Sequence, residues 1–126
     1  MKVLFPALRV SELKTSLAFY QAIGLDAVGQ ISHANTRMAT LALTDEDEVI
    51  LELVERTDAG PVVAGGLDHL AIQVDDLETK RRELLAAGLV PGEVERPGGT
   101  DGPRTVTLVD PEVTSWSWSS GPPVTP

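Results

Sequence analysis

Apolar and polar positions recur along this chain with two periods, and the periods change in the same order twice. Val3–Val10 is rich in apolar residues and reads as a strand. Leu13, Leu17 and Tyr20 then recur at helical spacing, with Ala18 and Phe19 adding bulk. Ser11 is the expected N-cap, although Lys14 stands where a capping box would place an acid. Gly24 ends the helix. Three short strands are expected at Asp26–Ser32, Arg37–Leu43 and Val49–Glu55, the last two separated by the acidic turn Asp45-Glu46-Asp47-Glu48. The sequence then starts again. Leu67–Val74 reads as a strand and Asp75–Ala87 as a helix with Leu77, Leu84 and Leu85 on its buried stripe, and Gly88 stops it. Strands are expected near Val90–Glu95, Arg104–Val109 and Thr114–Ser119, with Pro97–Pro103 a loop and Gly121–Pro126 a loose tail.

The recurrence is visible in residue identities as well as in pattern. Leu8-Arg9-Val10-Ser11-Glu12-Leu13-Lys14-Thr15 resembles Ile72-Gln73-Val74-Asp75-Asp76-Leu77-Glu78-Thr79 at a shift of 64 residues. The same shift carries Ala7 to Ala71 and Gly24-Leu25 to Gly88-Leu89, and Asp45 matches Asp110 at a shift of 65. The expected architecture is α+β: two βαβββ modules in tandem, residues 1–57 and 67–120, joined by a linker at 58–66 within one domain. Each helix covers one face of its sheet. Set edge to edge, the open faces form a curved, partly open sheet around a concave pocket, a natural site for a small molecule.

Strand alternation decides which side chains meet such a pocket. Leu8 and Val10 lead into the first helix, which leaves Phe5, Ala7 and Arg9 on the open face. The matching set in the second module is His69, Ala71 and Gln73. Leu51 and Leu53 belong with the helix, and Ile50, Glu52 and Val54 with the pocket. Trp116 and Trp118 occupy places matching Leu51 and Leu53, so they are expected under the second helix and Ser115, Ser117 and Ser119 in the pocket. A one-residue slip would instead turn the tryptophans into a stacking platform. Glu52 and His69 carry the chemical interest, because carboxylate and imidazole can share a divalent ion. A His–Glu hydrogen bond or a Glu52–Arg9 pair is the plain structural alternative.

Composition narrows the field. The chain has 126 residues, 10 Lys+Arg against 19 Asp+Glu, a formal net charge of −9 and no cysteine. One folded domain is expected, without disulfides or thiolate metal sites. The scattered basic residues argue against nucleic acid. No apolar stretch approaches the roughly 18 residues of a membrane span, and the Met1–Pro6 run is too short for a signal peptide, so a cytoplasmic protein is expected. The acidic balance favours cationic ligands.

The duplicated plan resembles the vicinal oxygen chelate superfamily, which includes glyoxalase I, extradiol dioxygenases, and bleomycin- and fosfomycin-resistance proteins. The matching residues are Leu8–Leu13, Ser16–Tyr20 and Gly24-Leu25 in the first module, and Leu67–Leu77, Ala87-Gly88 and Asp110-Pro111 in the second. Metal-dependent members look alike at four positions, one in each module's first strand and one in each last strand. Carried over, these fall on Phe5, Glu52, His69 and Ser117. The family's Asp-Pro-Asp-Gly turn reads Asp110-Pro111-Glu112-Val113 here. The resemblance thus implies an incomplete metal site of His69 and Glu52, too few ligands for tight zinc.

Two functions follow as expectations. The first is a small-molecule-binding protein of the bleomycin-resistance type, without a cofactor, sequestering a small cationic ligand among Phe5, Arg9, Gln73, Thr107 and Ser117. With five aromatic residues in the chain, bleomycin itself is a poor fit. The alternative is a glyoxalase-like lyase or isomerase, or a dioxygenase-like enzyme, using a divalent metal. Glu52 would then be the general base, His69 a metal ligand or general acid, and Arg9 an anchor for a substrate carboxylate. A third reading is a module that pairs with another chain and keeps a vestigial pocket. A homodimer is expected, since open sheet edges must be covered and family members commonly build the pocket across two chains.

Overall fold

Residues 2–63, 67–97, 103–112 and 114–121 are described by the structure, a computed structural model. The element order is β1 (Ala7–Val10), α1 (Leu13–Ala22), β2 (Leu25–His33), β3 (Thr36–Leu43), β4 (Val49–Arg56), β5 (His69–Gln73), α2 (Leu77–Ala86), β6 (Thr105–Val109) and β7 (Ser115–Ser119). The chain divides into two compact units, 1–64 and 65–126.

The first unit builds a four-stranded sheet in the order β1-β4-β3-β2. β1 runs parallel to β4, and the β2–β3–β4 meander is antiparallel. β1 is shorter than the run Val3–Val10 suggests. Pro6 has no N–H to give a ladder, but its carbonyl still accepts from Glu52 N at 3.0 Å, so pairing persists one residue beyond the strand. The core is what period-two alternation predicts. Leu51 and Leu53 are 1% and 0% exposed, and Leu25, Leu41 and Tyr20 are fully buried with them. Each such side chain contributes roughly 1.5–3 kcal/mol on burial.

α1 starts differently from the expectation. Its N-cap is Glu12 rather than Ser11, and the Glu12 side chain makes no capping bond to the backbone. The carboxylate comes from a distance instead: Glu55 Oε2, at the end of β4, accepts from Leu13 N at 2.6 Å. A carboxylate at a helix N-terminus satisfies an otherwise unpaired N–H and opposes the positive end of the helix dipole. At the other end Gly24 takes a φ of 105°, a left-handed turn that a side chain would strain.

The second unit builds a three-stranded sheet, β5-β7-β6, with β5 parallel and β6 antiparallel to β7. The segment Val90–Glu95, expected as a strand, is not one. Gly92 N donates to Thr107 O and Glu95 exchanges two bonds with Thr105, but between them Glu93 and Val94 make no backbone bond to β6 among the described residues, which breaks the ladder. The Pro97–Pro103 loop, the linker and the tail extend in part outside the described residues.

α2 is capped locally. Asp76 Oδ1 accepts from Thr79 N at 3.1 Å, and that backbone bond holds the Asp76 carboxyl below its ordinary pKa. Trp116 and Trp118 are 2% and 1% exposed, and the Lys80 ammonium of α2 lies 5.9 Å from the Trp118 ring centroid. The tryptophans therefore pack on the helix side of their sheet. Leu77 and Leu84 are buried as expected, but Leu85 is 45% exposed, being just off the stripe that faces the sheet. Arg104, ahead of β6, clasps Glu78 of α2 through two bonds, one of 3.2 Å from Nη2 to Oε2. The pair lowers the Glu78 pKa and raises that of Arg104. Asp110 Oδ1 accepts from Glu112 N and Thr114 N, at 2.9 and 2.7 Å, and so folds the turn into β7. No helix among the described residues is long and apolar enough to cross a membrane.

Candidate functional site

The open face of the first sheet is set by strand register. Ala7 pairs with Glu52, Glu52 with Thr40, and Thr40 with Gly29, so these four residues form one row across all four strands. The next row runs Arg9, Val54, Met38, Ile31. Both rows lie opposite Leu51, Leu53 and Glu55, whose set faces α1. Glu52 is half-buried in the middle of its row, and no hydrogen bond or ion pair reaches its carboxylate among the described residues. Phe5, half-buried, precedes β1 on the extension of the same pairing. Arg9 is exposed and donates from Nη2 to Gly60 O at 3.2 Å. The Glu52–Arg9 pair weighed from the sequence is thus replaced by a bond from Arg9 to the segment following β4.

The open face of the second sheet is rich in hydroxyl groups. Ser115, Ser117 and Ser119 of β7 stand beside His69, Ala71 and Gln73 of β5, and opposite Val109, Thr107 and Thr105 of β6. Gln73 and Thr107 are exposed, whereas Ser117 is hemmed in at 6%. His69 Nδ1 lies 2.7 Å from Asp68 Oδ2, which orients the ring and leaves Nε2 for another partner. The His69 side chain is half-exposed and that of Asp68 nearly fully exposed, so this pair contributes little to stability.

The donor set does not fit the family's metal. Phe5 offers no donor, and Ser117 only a neutral hydroxyl. Among the described residues, no group of three His, Cys, Asp or Glu side chains could hold a metal ion. Zinc sites use three or four protein ligands.

Two hollows of the first unit lie away from Glu52. One of about 980 Å³ opens between α1 and the β2–β3 hairpin, walled by Leu13, Leu17, Gln30 and Arg37 with Glu55 at its base. It contains none of the candidate site residues. A smaller one of about 310 Å³ lies beside Arg9 and the Gly60–Val62 segment. Thr40 and Gly29 were not evident as site residues from sequence. Thr40 stands beside Glu52 through the β3–β4 register, and Gly29 joins the row only through a bulge between Ala27 and Gly29, for which alternation gives no signal.

The fold that carries these two open sheet faces has counterparts among known proteins. The model of the Glyoxalase/Bleomycin resistance protein/Dioxygenase superfamily matches residues 2–112, and the chain belongs to that superfamily. The crystal structure of SMU.1112c is similar at 28% identity and a TM-score of 0.74, covering 94% of this chain and 98% of that one. A bleomycin-binding protein complexed with bleomycin is similar at 19% identity and a TM-score of 0.69, covering 97% and 100% of the two chains. A glyoxalase I mutant from Zea mays gives a TM-score of 0.79 at 17% identity, over 95% of this chain and 44% of that one. No curated protein matches the chain in sequence.

Proposed function

We propose that the chain is a metal-independent small-molecule-binding protein that sequesters its ligand on the open faces of its sheets. One observation carries the reading. Of the four positions at which metal-dependent relatives are expected to ligate, two are Phe5 and Ser117, while the surrounding faces keep exposed polar groups at Arg9, His69, Gln73 and Thr107. Without a Lewis acid, polarising a substrate carbonyl would fall to hydrogen-bond donors: the Arg9 guanidinium, the His69 imidazole and neutral hydroxyls. Binding needs no such group. The net charge of −9 favours a cation, and the family's bleomycin-binding member makes sequestration a precedented use of the fold. We further propose a homodimer, with β1 and β2 as the strand edges of the first sheet that need cover.

The test is a thermal-shift screen of metal-free protein against amines, neutral aromatics and carboxylates, followed by amide-shift mapping of each hit. A ligand at 100 times its dissociation constant stabilises by about 2.7 kcal/mol. The expected result is a hit that moves amides of β1, β4, β5 or β7 and is not consumed. Turnover of a hit by metal-free protein, or hits confined to the helix side of the sheets, would overturn the reading.

A further inference from the structure

The row Ala7–Glu52–Thr40–Gly29 differs from its neighbour in one respect. Its ends carry a methyl group and no side chain at all, whereas the adjacent row is Arg9–Val54–Met38–Ile31. Glu52 and Thr40 thus stand side by side in a row whose end positions are small. Glu52 is half-buried yet has no partner among the described residues. Desolvating a carboxylate is unfavourable unless a cation or donor compensates. Thr40 Oγ1 touches Gly29 O only at 3.5 Å, the outer limit of a hydrogen bond, and is available to accept from another donor.

Gly29 has no backbone reason to be glycine. The left-handed glycines of the described structure are Gly24 and Gly88, and Gly29 is not among them, even beside its bulge. Glycine weakens a strand interior, so a different requirement keeps the position bare. A Cβ built there would lie 2.8 Å from Thr40 Oγ1. The position therefore preserves the place of that hydroxyl.

We infer that this row is a receptor for a primary ammonium group on a small apolar body. Glu52 supplies the counter-charge, Thr40 accepts a second N–H, and Gly29 keeps the Thr40 hydroxyl in place. A quaternary ammonium is excluded, because it has no N–H to donate to either oxygen. The inference rests on the open-face binding reading and narrows it to a ligand class.

Benzylamine, benzyltrimethylammonium and benzyl alcohol, titrated into the full chain at low salt and followed by amide shifts, test it. Benzylamine is expected to move Ala7, Thr40 and Glu52. Glu52→Gln should weaken it about tenfold or more, the scale of a charge-assisted hydrogen bond. Gly29→Ala should weaken it about tenfold through displacement of Thr40 Oγ1, yet leave the melting temperature of the free protein unchanged or raised, since alanine suits a strand better than glycine. That opposition separates a binding role from a folding defect. Benzylamine binding unchanged in either variant, or benzyltrimethylammonium binding as tightly, would overturn the inference. Benzyl alcohol moving the same amides equally in wild type and Glu52→Gln would overturn the ammonium assignment while leaving open-face binding intact. Failure of all three probes and of the wider screen to move either open face would overturn both.

Discussion

Leu13 and Leu77 are equivalent by the internal repeat, each the first residue of its helix, yet the two helix starts are secured by opposite means. In the second unit the residue just before the helix, Asp76, caps it within one turn. In the first unit the equivalent residue, Glu12, leaves the backbone uncapped, and Glu55 supplies the carboxylate from 42 residues away. The sheets differ in the same sense. The first has four continuous strands and a core spread over several leucines, whereas the second has three and concentrates its core in Trp116 and Trp118. The first helix start is thus tied by a long-range contact and the second by a local one. Duplication preserved the plan and the faces of the strands, and left each half free to find its own fastenings.

The largest expected effect tests where each core is concentrated. Trp118→Ala should cost about 3–5 kcal/mol, read by chemical denaturation, with amide exchange accelerated in β6 and β7 before β3 and β4. Leu53→Ala, in the first unit, should fall lower within about 2–5 kcal/mol, because Leu41, Leu51 and Ala39 share its burial. Equal losses with identical exchange patterns would mean that the two units unfold as one and that the contrast has no energetic content.

Next comes the distant cap. Glu55→Ala removes a buried carboxylate bonded to Leu13 N and should cost about 1.5–3 kcal/mol, seen as a lower denaturation midpoint and loss of protection at the start of α1. Arg37, 3.9 Å from Glu55 Oε1, should gain mobility.

A smaller loss is expected from Asp76→Asn, and it should depend on pH. The folded state depresses the Asp76 pKa, so the stabilisation is present above the unfolded carboxylate value, near pH 4, and lost as pH falls through the lower folded value. Melting curves of wild type and variant should therefore converge on acidification in that range and diverge towards neutrality. Smallest of all is Arg104→Lys, which replaces a two-bond clasp on Glu78 with a single point charge. Its effect on melting temperature should shrink further in 1 M salt, where the Debye length is about 3 Å.

Much of this was legible in the sequence because sheets alternate with a period of two. Once Leu51 and Leu53 were placed inside, the positions of Glu52, His69 and both tryptophans followed. The failures have physical causes of their own. Glu55 could not be read as a helix cap, because nothing local links it to Leu13; Ser11 looked better by composition. Val90–Glu95 has strand-like apolar residues, but its pairing to β6 breaks at Glu93–Val94, where the sequence carries no signal. Of the candidate site, the row containing Glu52 was visible from the β1 and β4 patterns. Gly29, at its far end, depended on a bulge that shifts the register of β2 by one residue. The bond from Arg9 to Gly60, a loop carbonyl, has no sequence signature either.

The central claim is that ligand binding here proceeds without a metal, and elemental analysis tests it most directly. Protein purified without chelator, then exchanged into metal-free buffer, should contain far less than one equivalent of Zn, Ni, Mn or Fe per chain, with Glu52→Ala and His69→Ala indistinguishable from wild type. One equivalent of a single metal in the wild-type protein, absent from both variants, would contradict the account and make Glu52 and His69 ligands of a working metal centre.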